Sequence, residues 1–240
     1  MMIIYRISII LFIFLMAGCQ ANSNTSEDIS TEKHQQKEQG EDKKMDQEII
    51  LSAENGDVEK VKKLIKTGAN IDATDESGRT AVLAAAQNNR VDTVKLLIQE
   101  GVDINIRNDN SDNVLLYAGA EGQLDIVKLA IEAGADTTLT NRFGGTALIP
   151  ASDRGHDEVV NQLLAHSDID VDHINHLNWT ALLEAVILGD GSGDYQKIVQ
   201  LLVDHGADVH IADKDGVTPL EHAESRGYHE IANILKQAGA

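Results

Sequence analysis

Gly68-Ala69-Asn70-Ile71-Asp72 comes back 33 residues later as Gly101-Val102-Asp103-Ile104-Asn105, and again as Gly134-Ala135-Asp136. It returns once more as Gly206-Ala207-Asp208-Val209-His210, and Gly239-Ala240 stands 33 residues beyond that. A fixed period of this length marks similar units stacked side by side, each burying a face against its neighbour, rather than one globular core. Chains built this way usually bind another protein and rarely carry out chemistry.

Each period reads alike. A Thr-[Ala/Pro]-hydrophobic start stands at Thr80-Ala81-Val82, Thr146-Ala147-Leu148, Thr180-Ala181-Leu182 and Thr218-Pro219-Leu220. A small residue follows (Ala85, Ala118, Ala151, Ala185, Ala223), and a glycine then breaks the first helix at Gly56, Gly122, Gly155, Gly189 and Gly227. A second amphipathic helix comes next, as in Val94-Lys95-Leu96-Leu97-Ile98, with apolar residues at helical spacing. The Gly-Ala-Asp turn ends it as a glycine C-cap does.

This pattern resembles the ankyrin repeat over about 46–240. The resemblance implies an all-α solenoid of about six helix-turn-helix units with β-turn fingers set across them. The units run near 46–76, 77–109, 110–142, 143–176, 177–214 and 215–240. The first lacks the Thr-Pro-Leu start and reads as an N-terminal cap. The last carries Lys236 and Gln237 late in its second helix, as a capping unit should. The family's histidine after Thr-Pro-Leu is replaced by Leu83, Leu116, Ile149, Leu183 and Glu221, so apolar packing is expected to take over its hydrogen bonds. Repeat four has one extra residue near Ser167-Asp168, and repeat five an insertion at Gly189–Asp194 that is expected to be a flexible loop. From Phe143 to Ala240 the chain is similar to exported bacterial ankyrin proteins.

Ahead of the repeats, Arg6 and the apolar run Ile9 to Leu15 have the form of a signal peptide over 1–18. Met16-Ala17-Gly18-Cys19 resembles a bacterial lipobox, which implies cleavage before Cys19 and acylation of its thiol, palmitate included. An ordinary signal peptide, an uncleaved anchor and a buried helix are the competing readings; the apolar run is short for a membrane span. Cys19 is the single cysteine of the chain, so no internal disulfide is possible and lipidation best explains it. Residues 19–45 then read as a disordered polar linker with too little apolar surface to fold. A flexible chain of that length spans on the order of 30 Å. The expected location is therefore the cell envelope, lipid-anchored to a membrane and facing away from the cytoplasm.

The formal net charge is -19, and loss of residues 1–18 removes Arg6 and no acid, leaving -20. Phosphate-bearing partners are repelled at that charge. With aromatic residues at 3%, base stacking has no platform, so nucleic acid is excluded as a partner. Anionic lipid is disfavoured for the same reason, which leaves Cys19 as the membrane link. A basic protein is the electrostatic complement, although acidity also keeps an exported solenoid soluble.

The resemblance implies a binding face made of finger tips and first helices. Repeats two and three offer polar tips, with Glu76, Ser77, Asp109, Asn110 and Asp112 among them. Repeats four and five offer Arg142, Phe143, Asp153, Arg154, His176, Leu177 and Trp179. Trp and Arg are the types enriched in binding hot spots, and Trp179 is expected on a finger, either exposed or folded down. Asp190 and Asp194 of the insertion join the partner-binding candidates. Glu184 stands in an apolar first helix, where loop backbone groups are expected to satisfy it.

Other chemistry finds little footing. Asp190-Gly191-Ser192-Gly193-Asp194 alternates oxygen ligands as calcium loops do, yet Tyr195 sits where the turn glycine belongs and Leu201 where the bidentate glutamate belongs. Eight histidines between His156 and His229 fall at repeat positions, without a His-x3-His pair beside a carboxylate. No Gly-x-Ser-x-Gly, phosphate-cradling loop or nucleophilic cysteine is present. No metal, cofactor or enzymatic activity is expected. The expected function is a monomeric, membrane-anchored scaffold for a protein partner. The alternative is an inhibitor or immunity protein, or an accessory factor, for an exported enzyme or toxin.

Overall fold

The computed structural model describes the backbone from Thr25 and the side chains from Gly40 through Ala240. The signal peptide and Cys19 lie outside the described residues. The chain divides into two units, Met1–Glu41 and Asp42–Ala240. The first described helix, α1, runs Thr25–Asn55. It therefore covers, from residue 25 onward, most of the segment expected as a disordered linker. Glu, Gln and Lys dominate there, and all three are strong helix formers even without an apolar face. No helix of the described residues is long and apolar enough to cross a membrane.

Six helix pairs make up the solenoid. The end of α1 pairs with α2 (Val58–Lys66), and α3 (Ala81–Gln87) with α4 (Val91–Gln99). Then come α5 (Val114–Ala120) with α6 (Leu124–Glu132), and α7 (Leu148–Asp153) with α8 (Asp157–His166). Last are α9 (Ala181–Ile187) with α10 (Gly193–Asp204), and α11 (Pro219–Arg226) with α12 (His229–Gln237). First helices α3, α5, α7, α9 and α11 stack in one row, and second helices α2 to α12 in another. The core lies between the rows, where Leu97, Ile126, Leu163, Ile198 and Leu202 are fully buried. The described residues contain no strand beyond one isolated bridge, Thr74 to Thr80.

Four of the first helices start on a side-chain cap. Thr80, Asn113, Thr180 and Thr218 accept from the backbone N–H of Leu83, Leu116, Leu183 and Glu221. Repeat four departs because of Pro150. In its neighbours the cap carbonyl accepts from the residue four on, as Glu184 N–H donates to Thr180. Pro150 has no N–H, so Ile149 donates to the Thr146 carbonyl instead (3.3 Å). Helix α7 consequently starts late, is only six residues long, and leaves Thr146 Oγ1 without a partner.

The residues standing in for the family histidine behave as expected. Leu83, Leu116, Ile149 and Leu183 are buried. Glu221 instead closes a capping box with Thr218. Polar ties between repeats come from elsewhere. A residue at or near the start of a second helix reaches back to a carbonyl at or just past the end of the previous first helix: Arg90 Nε to Glu54 (3.2 Å), His156 Nε2 to Ala120 (3.2 Å), Tyr195 Oη to Asp153 (2.7 Å) and Tyr228 Oη to Gly189 (2.9 Å). These carbonyls have no partner within their own helix, and the next repeat supplies one. The glycine that ends the first helix leaves room for this, since a Cβ on Gly122 would lie 2.7 Å from His156 Nδ1. Tyr195→Phe removes one such tie and is expected to cost about 1 kcal/mol. Urea unfolding checks this as a lower midpoint at unchanged slope; an unmoved midpoint would dismiss the tie as idle.

The insertion of repeat five is not the flexible loop expected. Gly193 and Asp194 open α10, which reaches 12 residues against nine in α4 and α6. The remaining turn is held on three sides. Asp190 Oδ1 accepts from Ser192 N–H (2.8 Å), Gln196 Nε2 donates to Gly191, and Tyr228 Oη to Gly189. The extra residues lengthen a helix because its added turn can pack Tyr195 against the core.

Candidate functional site

The finger tips are built by one device used five times. Asp75, Asn108, Asn141, Asn175 and Asp213 each accept two backbone N–H groups with one side-chain oxygen, from the residues two and four further on. The third residue after each turns left-handed: Gly78, Ser111, Gly144, Asn178 and Gly216 all have positive φ. This bracket holds the two residues at the tip outward. They are Arg142 and Phe143 in repeat four, and His176 and Leu177 in repeat five. His176 N–H also donates to the Phe143 carbonyl (3.0 Å), tying one finger to the next.

Between the fingers and the first helices of repeats three to five lies a groove of about 560 Å³. Its rim is apolar. Phe143 is 60% exposed, Leu177 55% and Leu188 51%. Its floor is acidic, with Asp112, Asp153 and Glu184 among the lining residues. One column of the repeat explains why the groove opens here. Four residues after each bracket stand Arg79, Asp112, Gly145, Trp179 and Val217. In repeat four that position is glycine. A Cβ there would sit 3.4 Å from Ile149, an ordinary contact, so the backbone does not demand glycine. Its missing side chain leaves space between Asp112 and the next repeat.

Glu184 is the least ordinary group of the site. It is only 5% exposed, on a first helix of buried Ala, Leu and Val. Asn175 Nδ2 donates to its Oε1 (2.7 Å). Asn175 Oδ1 is already engaged by two N–H groups, so its amide can only turn Nδ2 toward the glutamate. Burial first, and the Asp153 charge second, push the Glu184 carboxyl up to about 7 against the opposing Asn175 bond. Burial also raises Asp153, against Arg154, and raises Asp112, against Arg142 and Arg154.

A raised carboxyl binds more protons folded than unfolded, so its contribution to stability falls as pH climbs from its ordinary value of 4.5 to about 7. Above that window the ionised group opposes folding by an amount on the order of 2 kcal/mol. Glu184→Gln keeps the acceptor for Asn175 and removes the charge. It is expected to raise the melting temperature by several degrees at pH 8.5 and hardly at all at pH 4.5. An equal gain at both values would refute the charge as the cause.

Of the residues proposed from sequence, Arg142, Phe143, Asp153, Arg154, His176 and Leu177 all line this groove. Arg142 stacks over Phe143, with its guanidinium carbon 4.8 Å from the ring centre. Trp179 is half-buried and does not line the groove. Asp190 and Asp194 are exposed and also lie off it. Glu184 is satisfied by the side chain of Asn175, not by loop backbone as expected. Tyr117, Asn141 and Pro150 line the groove too and escaped the sequence reading. Pro150 carried a signal, being one of two prolines in the chain. No three His, Cys, Asp or Glu side chains among the described residues approach closely enough to hold a metal ion.

A family model described as ankyrin repeats (3 copies) matches residues 49–141, 115–213 and 151–240. The chain is similar to the ankyrin repeat protein YahD of Escherichia coli (strain K12), with 41% identity over 82% of this chain and 98% of that one. A shorter stretch, 35% of this chain, is 39% identical to about half (51%) of protein phosphatase 1 regulatory subunit 27 of Mus musculus. Among solved structures, an ankyrin repeat domain from Acinetobacter baumannii AYE superposes with a TM-score of 0.78 at 47% identity, covering 80% of this chain and 97% of that one. The ankyrin repeat protein EF0377 gives 0.76 at 40% identity, over 79% and 96%.

Proposed function

Because the chain belongs to the ankyrin repeat family, we propose that it is a protein-binding module whose partner docks in the groove of repeats three to five. The observation carrying this reading is the apolar rim made by Phe143 and Leu177, held out on braced fingers, and by Leu188 at the end of α9. Exposed apolar side chains clustered around a cleft mark interaction surfaces, and aromatic and arginine side chains concentrate binding energy. Repeat proteins of this family are interaction modules, and no constellation at the groove suits covalent chemistry. The named role of the mouse relative, a phosphatase regulatory subunit, is in keeping with a protein partner.

The same reading places the module at the cell envelope, held to a membrane through acyl chains on Cys19 and facing out of the cytoplasm. Support comes from the lipobox-like Met16-Ala17-Gly18-Cys19 and the polar segment after it. A scaffold is the primary role, and inhibition or support of an exported enzyme or toxin is the alternative. Two experiments test this. Affinity capture from envelope extract should retain a specific protein on the chain and lose it on Phe143→Ala/Leu177→Ala; a partner held equally by both removes the groove from the account. Labelling with radioactive palmitate should mark the chain and spare Cys19→Ser, and an unlabelled chain in the soluble fraction would end the anchor reading.

A further inference from the structure

We propose that the groove seats a lysine or arginine side chain of the partner, its cation against Asp153 and Glu184 and its methylene stem along Phe143 and Leu177. The proposal rests on the protein-binding reading above and deepens it.

Three observations point to a cation with apolar flanks. First, the floor acids touch no partner of opposite charge, and Arg142 and Arg154 act on Asp112 and Asp153 only through space. The carboxylates of Asp112 and Asp153 make no hydrogen bond or ion pair among the described residues, and Glu184 has only the neutral Asn175 amide on one oxygen. Second, the cations already at the groove are engaged at its edge. Arg154 Nη1 donates to the Ala120 carbonyl (2.8 Å) and to Glu121 Oε1 (2.5 Å). Arg142 Nη1 donates to Asn110 Oδ1 (3.3 Å), and its guanidinium covers Phe143. Third, Phe143, Ile149, Pro150, Leu177 and Leu188 supply apolar wall, and the volume of about 560 Å³ has room for a side chain and part of its backbone.

The chemistry follows from these. An anion would meet three acids at the floor, and an apolar side chain would bury them without compensation. A lysine or arginine satisfies both surfaces, since its charged tip and its aliphatic stem take different walls. The net charge of -19 draws such a partner in from a distance. A cation beside Glu184 favours its ionised form and so opposes the desolvation that raises its pKa, and binding drives off its proton.

Selection of a random twelve-residue peptide display library against the chain tests the assignment. The enriched peptides are expected to share a Lys or Arg beside an apolar residue. Binding of a synthetic representative, read by fluorescence polarisation, should fall at least tenfold with Asp153→Asn/Glu184→Gln. It should fall by a similar factor when the peptide's basic residue becomes Met, and combining the two changes should add little. Gly145→Leu, which fills the floor, should abolish binding. Calorimetry near pH 7 in two buffers of different ionisation enthalpy should show proton release on binding. Melting curves keep the variants comparable. Enriched peptides without a basic residue, but lost on Phe143→Ala/Leu177→Ala, would overturn the cation assignment and leave the groove reading standing. Peptides that ignore every one of these substitutions would overturn both. A failure to enrich any peptide counts against the proposal.

Discussion

Asn175→Asp is expected to destabilise the protein by about 3 kcal/mol at pH 8, although it changes one atom type. The aspartate still offers an oxygen to the N–H groups of Leu177 and Trp179. Its other oxygen, however, replaces the Nδ2 that donates to Glu184, and puts two buried carboxylates in contact. Like charges at that distance do not both ionise, so the variant takes up a proton on folding. One carboxyl of the folded pair is then protonated and donates to the other, and because Glu184 alone already stands at about 7, stability should recover as pH falls from above that value toward the ordinary 4.5. Repeat six supplies the repair. There the bracket residue is Asp213 and the residue nine further on is His222, with Nε2 2.8 Å from Asp213 Oδ2. Asn175 and Glu184 stand in the same relation with donor and acceptor exchanged. Asn175→Asp/Glu184→His should regain most of the loss at pH 8. Equilibrium unfolding at pH 5 and pH 8 decides this. A single variant as stable as the parent, or a double variant no better than the single, would sink the account.

Leu183→Ala should cost about 3 to 4 kcal/mol, because the side chain is fully buried where the family ordinarily places a histidine. Helix α9 stacks between α7 and α11, so a cavity at Leu183 weakens two interfaces at once. In a linear array, stability is a sum of unit and interface terms. Loss at an inner repeat should therefore broaden the unfolding transition as well as lower its midpoint. Leu183→Met conserves volume and should cost less than about 1.5 kcal/mol. Chemical denaturation of the two variants side by side checks it. Equal losses would mean the position is not packed as described.

Much of this protein was legible from residue order. The repeat boundaries near Ser77, Asn110, Phe143, Leu177 and Asp215 fall on finger tips, two residues after each bracket, because period and turn chemistry are local properties. Groove residues such as Asn110, Asp112, Arg142, Phe143 and Leu177 were named for the same reason: a repeat position implies a face. The polar segment before the repeats read as unfolded because its sequence offers few apolar residues, whereas the end of α1 is held by the buried Ile49, Ile50 and Ala53. The insertion of repeat five read as a loop because its glycines dominate the local signal. Only the packing of Tyr195 shows that part of it lengthens α10.

The sequence by itself determined the solenoid, the number of units, the face that fingers and first helices share, and the net charge. Those follow from periodicities and sums, which need no coordinates. The tertiary structure alone decided which positions in that face become one site. Gly145 opens a groove only because Asp112 and the next repeat stand on either side of it. Glu184 is held by Asn175 rather than by loop backbone, and it lies near Asp153, a residue of the preceding repeat. Trp179, the most conspicuous residue in the chain, falls outside the groove. Distances between repeats depend on how helices stack, and stacking is set by side-chain volumes summed over many residues, which no single stretch of sequence displays.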